Sequence, residues 1–267
     1  MNLFNIMNTA PLKTDINAVL VIGHPGHELR AYKFIKEYQP DVIILTDGSG
    51  SNNSSRISQT IAILNSLGSK YVKILAPYTD TEIYKFILER NFDEINRVKQ
   101  IIRFEIEKNR YNLIVGDSLE GFNPTHDLCR YIINSIVKDI RLDNITAEIL
   151  NYGFDLDSAP NKIPVTERGN IFSLKLDASD FESKLEAALN YPEIKLEVDK
   201  AIQYFGKEAF FTEFFIENSN LDVMENWSTP CPAYESYGRQ RVSNGIYNEV
   251  IEFEKHMKPI AISLLHL

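Results

Sequence analysis

Three of the chain's five histidines stand where an apolar strand gives way to a helix. His24 and His27 flank the turn of Val21-Ile22-Gly23-His24-Pro25-Gly26-His27-Glu28, between a strand expected over Ala18–Ile22 and a helix expected over Glu28–Tyr38. His126 opens another helix after another apolar strand. In an open α/β sheet, ligands and catalytic groups collect at the carboxyl ends of the strands. Three imidazoles delivered there make a candidate metal centre, with His24, His27 and His126 as ligands. Zinc favours imidazole, and a catalytic zinc keeps three protein ligands and an open position. The competing account has His27 decorating a helix start and His24 packing in the loop.

The rest of the chain must position these residues. Its 267 residues are 44% apolar and 24% charged, enough for a large core. A formal net charge of −9 argues against a nucleic-acid binder, whose footprint is usually basic. No apolar run approaches the ~20 residues of a membrane span. Met1 to Thr14 lacks the pattern of a secretory signal, so a cytoplasmic location is expected. Cys129 and Cys231 offer neither a disulfide framework nor a metal knuckle.

Apolar strands are expected at Ala18–Ile22, Asp41–Leu45, Tyr71–Leu75 and Leu113–Val115, with a weaker one at Ile145–Leu150. Helical patterns separate them at Glu28–Tyr38, Arg56–Leu67, Thr81–Glu89, Phe92–Lys108 and His126–Ile140. Such alternation predicts a Rossmann-like α/β fold: an open, mostly parallel sheet with helices on both faces. After Asn151 the pattern changes. Gly153–Asn170 reads as an irregular excursion. Strands at Ile171–Leu176 and Phe210–Ile216, helices at Asp180–Leu189 and Ile194–Phe205, and a terminal helix over Tyr247–Leu264 follow. The expected layout is a single domain over 1–267, with 1–150 as the metal-site core. Residues 151–267 form a substrate-covering extension across the sheet's carboxyl edge.

Glu28 and Asp127 fall in helix first turns, where acids are favoured by the helix dipole whatever their chemistry. The Thr46-to-Ser51 turn offers backbone donors of the kind that meet anionic or hydroxyl-rich ligands, and is equally readable as a plain turn. Trp227, Tyr234, Tyr237 and Arg241 form an aromatic and basic cluster suited to a sugar ring, a nucleotide or a phosphate. A brace for the C-terminal helix, or a homo-oligomer contact, is the alternative.

His24-Pro25-Gly26-His27-Glu28 resembles the His-Pro-Asp-Asp-Glu motif of the PIG-L/LmbE-like zinc de-N-acetylases. Thr46-Asp47-Gly48-Ser49-Gly50 is similar to that family's Thr-x-Gly-x-x-Gly turn, with the last glycine shifted. Arg56 stands where the family has an arginine opening the next helix. Asn123-Pro124-Thr125-His126 resembles its His-Pro-Asp-His segment. The likeness spans about Ala18 to Val137. It implies zinc as cofactor, with His24 and His126 as ligands and His27 at the position of a ligand aspartate. It further implies substrate contacts at Thr46, Gly48 and Arg56, joined by Tyr237 and Arg241 from the aromatic cluster. Two departures stand out: Gly26 replaces the general-base aspartate, and Asn123 replaces the histidine that steadies the oxyanion. A third neutral imidazole leaves the metal one unit more positive and strengthens its activation of water. Asn123 can still donate to an oxyanion. The leaving amine needs a proton, for which Asp127, Glu28 and Asp47 are candidates.

The expected function is therefore a zinc-dependent amidohydrolase acting on an N-acylated amino sugar or glycan precursor, in surface-polysaccharide biosynthesis. The alternatives are a sugar- or nucleotide-binding protein that has lost hydrolysis, and a zinc-assisted esterase or deformylase.

Overall fold

The computed structural model describes residues 15–50, 54–69, 72–144, 148–156, 170–218 and 231–266. Seven strands form one sheet: β1 (Ala18–Ile22), β2 (Asp41–Thr46), β3 (Val72–Tyr78), β4 (Leu113–Asp117), β5 (Leu150–Phe154), β6 (Ile171–Lys175) and β7 (Thr212–Glu217). Their order is β3-β2-β1-β4-β5-β7-β6. The first five run parallel, while β7 pairs antiparallel with both β5 and β6. The helices are α1 (Tyr32–Tyr38), α2 (Ile57–Ser66), α3 (Asp80–Glu89), α4 (Phe92–Asn109), α5 (Pro124–Asp143), α6 (Ala178–Leu189), α7 (Lys195–Phe205), α8 (Ala233–Ser243) and α9 (Lys258–His266).

The central strands are buried on both faces, and their side chains alternate between two cores as a period of two requires. Val19 and Val21 of β1, with Ile43 and Leu45 of β2, join the core under α3, α4, α5 and α9. Leu20 and Ile22, with Val42 and Ile44, join the opposite core with α1, α2 and the β6–β7 pair. Helix α5 is buried continuously from Pro124 to Val137, and its buried Arg130 is accordingly hydrogen-bonded, donating to Asn151 and the Tyr152 carbonyl. Cys129 lies inside it as a packed, inert side chain.

This topology fixes where a ligand would sit. The chain builds β1, β2 and β3 outward to one side, then returns to place β4 on the other side of β1. The gap between the carboxyl ends of β1 and β4 is a topological switch point, the usual ligand crevice of open α/β sheets. Pairing of Val21 with Gly116 brings the Gly23–His27 turn level with Asp117 at the end of β4.

Several elements differ from their sequence expectation. The weak strand placed at Ile145–Leu150 begins only at Leu150 and runs to Phe154; residues 145–147 lie outside the described residues. Gly153, taken as a loop signal, is inside β5, because a side chain there would meet Ser118 Oγ at 2.5 Å and Arg130 Nη2 at 3.3 Å. The first helix opens as a 3-10 turn over His27–Ala31 before α1. Residues 233–243, which carry Tyr234, Tyr237 and Arg241 of the aromatic and basic cluster, form α8, entered through Pro232. The terminal helix does not start at Tyr247: a π-turn over Phe253–Met257 precedes α9. Pro259 lacks the N–H that an uninterrupted α ladder would need there. The expected excursion falls mostly on 157–169, and Trp227 and Pro230 on 219–230, outside the described residues. Among the described residues, no helix is long and apolar enough to cross a membrane.

Candidate metal centre

His24, His27 and His126 meet at this switch point. Their ring centroids lie 5.3 Å apart for His24 and His27, 5.2 Å for His24 and His126, and 4.4 Å for His27 and His126. His24 and His126 are buried and His27 is partly buried. The turn carrying the first two is shaped by Gly26, whose φ of 107° suits glycine alone. A Cβ at this position would make ordinary contacts with Ile194 at 3.4 Å and Tyr191 at 4.0 Å, so the backbone conformation rather than crowding restricts the position.

Each imidazole is held from outside by a carboxylate. His27 Nδ1 lies 2.9 Å from Asp117 Oδ1, and His126 Nδ1 lies 3.0 Å from Glu120 Oε1. His24 Nδ1 lies 3.0 Å from Asp80 Oδ1 and 2.7 Å from Thr46 Oγ1. Burial lowers the His27 pKa, opposed by Asp117 and reinforced by His24 and Arg56. Burial, His27 and His24 together push His126 well below the ordinary imidazole range. Burial works to raise Asp80, but the His24, Thr46 and Gly50 contacts outweigh it and hold this carboxyl below the usual range.

Imidazole nitrogens backed by carboxylates are the chemistry expected of a zinc site. His24 Nε2 is buried with no hydrogen-bond partner among the described residues, an orphaned polar atom of the kind a bound group would satisfy. Among the described residues, no group of three or more His, Cys, Asp or Glu side chains stands in metal-holding geometry. What suits a zinc is the donor chemistry and the gathering of the three rings within 5.3 Å of one another.

The supporting residues take roles that spacing alone did not give. Thr46 is fully buried behind His24; its hydroxyl donates to Gly23 O at 3.1 Å and accepts from Gly48 N at 3.3 Å. It orients His24 rather than facing a substrate. Gly48 is also buried, its Cα packed beside Pro25 and Arg56. Glu28 is fully buried and accepts from Gly26 N at 2.7 Å and Thr60 Oγ1 at 2.8 Å. Asp127 is fully buried and accepts from Glu120 N at 3.0 Å and Gly121 N at 3.2 Å. Burial raises both carboxyls to about 7. Each therefore ties down a loop beside a histidine.

Asn123 caps α5 by accepting from Thr125 N at 2.8 Å, and its amide also bonds to the Tyr84 hydroxyl. Tyr84 is raised chiefly by burial, and further by Tyr247, Asp80 and Tyr237, so this phenol links the centre to α8. There Arg241 stacks on Tyr237 at 5.5 Å and Tyr247 at 5.4 Å. Tyr234 turns inward and is buried. Phe122, half exposed, lies 6.1 Å from His126.

The sequence reasoning missed Asp80, Asp117, Glu120, Tyr84, Phe122 and Tyr247. One signal was present: Asp117 is an acid at the carboxyl end of a buried strand, the same placement that singled out His24.

No family model matches the chain, and no curated protein matches it. Solved structures do. The antimicrobial reagent A40926 pseudoaglycone deacetylase Dbv21 is 13% identical with a TM-score of 0.53, over 75% of this chain and 96% of that one. The conserved protein TT1542 from Thermus thermophilus is 14% identical with a TM-score of 0.52, over 76% and 94%. A deacetylase in the biosynthesis pathway of teicoplanin is 12% identical with a TM-score of 0.51, over 76% and 100%. At such identities the likeness is one of architecture: about three quarters of this chain has an α/β fold shared with deacetylases.

Proposed function

We propose that the chain is a zinc-dependent amidohydrolase of the PIG-L/LmbE type, removing an acyl group from an N-acylated amino sugar or glycan precursor of surface-polysaccharide assembly. One observation carries this reading. Three carboxylate-backed imidazoles gather at the switch point of a fold that deacetylases share.

In this proposal His24, His27 and His126 hold the zinc, which supplies Lewis acidity toward an acyl oxygen and toward water. The chain's own residues bind and orient the substrate. Asn123 carries two amide N–H groups; one serves Tyr84 and the other would meet an acyl oxygen. Arg56 and Arg241 have no carboxylate partner among the described residues, and both suit the oxygens of a sugar or an attached anion. Tyr237 and Tyr247 offer ring faces for a pyranose. Residues 151–267 would thus cover the substrate through α8. Asp127 and Glu28 contribute by fixing the Glu120–Gly121 loop and the Gly26 turn.

A second reading, a sugar-binding protein that has lost hydrolysis, is favoured by one specific feature. Both carboxyls nearest the histidines in sequence are fully buried and already bonded, and Gly26 leaves no base in the turn.

The test is a metal assay of the purified full chain alongside hydrolysis of N-acetyl and N-formyl amino sugars and an O-acetyl sugar ester. The expected result is one zinc per chain and amine release that chelation abolishes and zinc restores, lost in His24→Ala and His126→Ala. Zinc and sugar binding without turnover on any substrate would favour the binding reading, and ester cleavage alone the esterase. A chain that takes up no zinc would refute the metal assignment.

A further inference from the structure

We propose that Asp80, Asp117 and Glu120 lock His24, His27 and His126 into one tautomer, with the proton on Nδ1 and the lone pair on Nε2. The inference rests on the metal reading above, and it concerns how the chain prepares the site before a cation arrives.

One device is repeated three times. Each carboxylate has one oxygen anchored by a backbone N–H and the other set against an imidazole Nδ1. Asp117 Oδ2 accepts from Gly23 N at 2.7 Å, while Oδ1 faces His27 at 2.9 Å. Asp80 Oδ2 accepts from Gly50 N at 2.6 Å, while Oδ1 faces His24 at 3.0 Å. Glu120 Oε2 accepts from Leu156 N at 2.9 Å, while Oε1 faces His126 at 3.0 Å. An ionised carboxylate has no proton to give, so the hydrogen in the Asp117 and Glu120 contacts belongs to Nδ1; at His24 the hydrogen bond runs to Thr46 Oγ1, and Asp80 Oδ1 stands beside it as the neighbouring charge. A neutral imidazole protonated there carries its lone pair on Nε2.

Thr46 points the same way. Its own hydroxyl hydrogen goes to Gly23 O at 3.1 Å, so at 2.7 Å from His24 Nδ1 it is the acceptor. The result is three neutral nitrogen donors inside a ring of carboxylates. That combination suits a borderline divalent cation such as zinc, cobalt or nickel, and not magnesium or calcium, which want oxygen ligands. Relative to a two-histidine, one-carboxylate site, negative charge has moved outward by one imidazole.

The arrangement makes amide substitutions diagnostic. Asn at 117 has one acceptor oxygen for two donors. If that oxygen keeps Gly23 N–H, the new NH2 meets His27 Nδ1, which must give up its proton and move it to Nε2. Gln at 120 places His126 in the same position. His256 supplies an internal control: its Nδ1 accepts from Glu252 N at 2.9 Å, which requires the opposite tautomer.

The experiment is two-bond 1H–15N correlation NMR of the full chain, chelator-treated and zinc-loaded, with zinc and magnesium affinities measured by chelator competition. The expected spectrum of the metal-free wild type has three Nδ1–H histidines and His256 as Nε2–H. Asp117→Asn should convert His27 alone and weaken zinc binding about 10–100-fold; Glu120→Gln should do the same through His126. An Nε2–H tautomer at any of the three in the wild type would overturn the proposal, as would amide variants that leave both tautomer and affinity unchanged. If Asp117→Asn fails to fold, the wild-type spectrum and Glu120→Gln decide. Three Nδ1–H rings in a chain that takes no zinc would uphold the orientation and refute the hydrolase reading, so the two can fail separately.

Discussion

Glu213→Gln should be among the most damaging single changes outside the metal centre. Helix α1 follows the histidine turn, and its N-cap, Ala31, has no side chain able to cap it. Glu213 of β7 does so from across the sheet, accepting from Lys33 N at 2.9 Å and 3.0 Å and from Phe34 N at 3.1 Å. It also pairs with Lys184 Nζ at 2.8 Å, and both side chains are buried. Burial lowers the Lys184 pKa, and Glu213 opposes that shift. Glutamine leaves the ammonium buried without its counter-charge, which typically costs ~3–5 kcal/mol, and halves a cap worth ~1 kcal/mol. The two losses share one side chain, so we expect about 4 kcal/mol. At ~2–4 °C per kcal/mol, the melting temperature should fall by roughly 8–16 °C. Urea and thermal unfolding followed by circular dichroism would measure this. The double variant with Lys184→Met should recover ~2 kcal/mol or more of the summed single losses, because it removes the orphaned charge. A Glu213→Gln loss below ~1 kcal/mol, or strict additivity in the double variant, would refute the reasoning.

Gly26→Asp places an aspartate where the PIG-L/LmbE motif has one, but the φ of 107° there predicts ~1–3 kcal/mol of destabilisation and no gain of hydrolysis. A stable variant with new amidase activity would contradict this. Zinc at about a thousand times its dissociation constant should add ~4.1 kcal/mol of stability, so chelation should lower the melting temperature measurably in the wild type and not in His24→Ala. Asp180 is raised by burial but lowered further by Lys33 and Lys36, giving a net depressed pKa. Its stabilisation is therefore present above the unfolded carboxyl range of ~3.9 and lost as pH falls through the folded value. The stability gap between wild type and Asp180→Asn should narrow in acid unfolding below pH ~4; a constant gap would argue against the ion pair.

Local pattern made much of this protein legible. The buried strands, the helices between them and the three histidines at strand-to-helix junctions follow from apolar periodicity, which nearest neighbours along the chain encode. Periodicity failed where a residue's meaning lay across space. Gly153 signals a loop until Ser118 and Arg130 crowd it, and Pro259 interrupts a helix that hydrophobic spacing would have continued.

What tertiary structure alone decided is which polar groups meet. Thr46, Glu28 and Asp127 are ordinary turn and helix-start residues in sequence, and folding assigns each to a backbone or imidazole partner. Asp117 and Glu120 become the histidines' partners because β4 returns beside β1 in a register that sets Asp117 against Gly23 and His27, while Asp80 arrives from the start of α3, after β3. Strand order and register are collective choices of the whole core. The chain thus carried its three clustered histidines in local spacing, and their orientation in contacts that exist only once the sheet has closed.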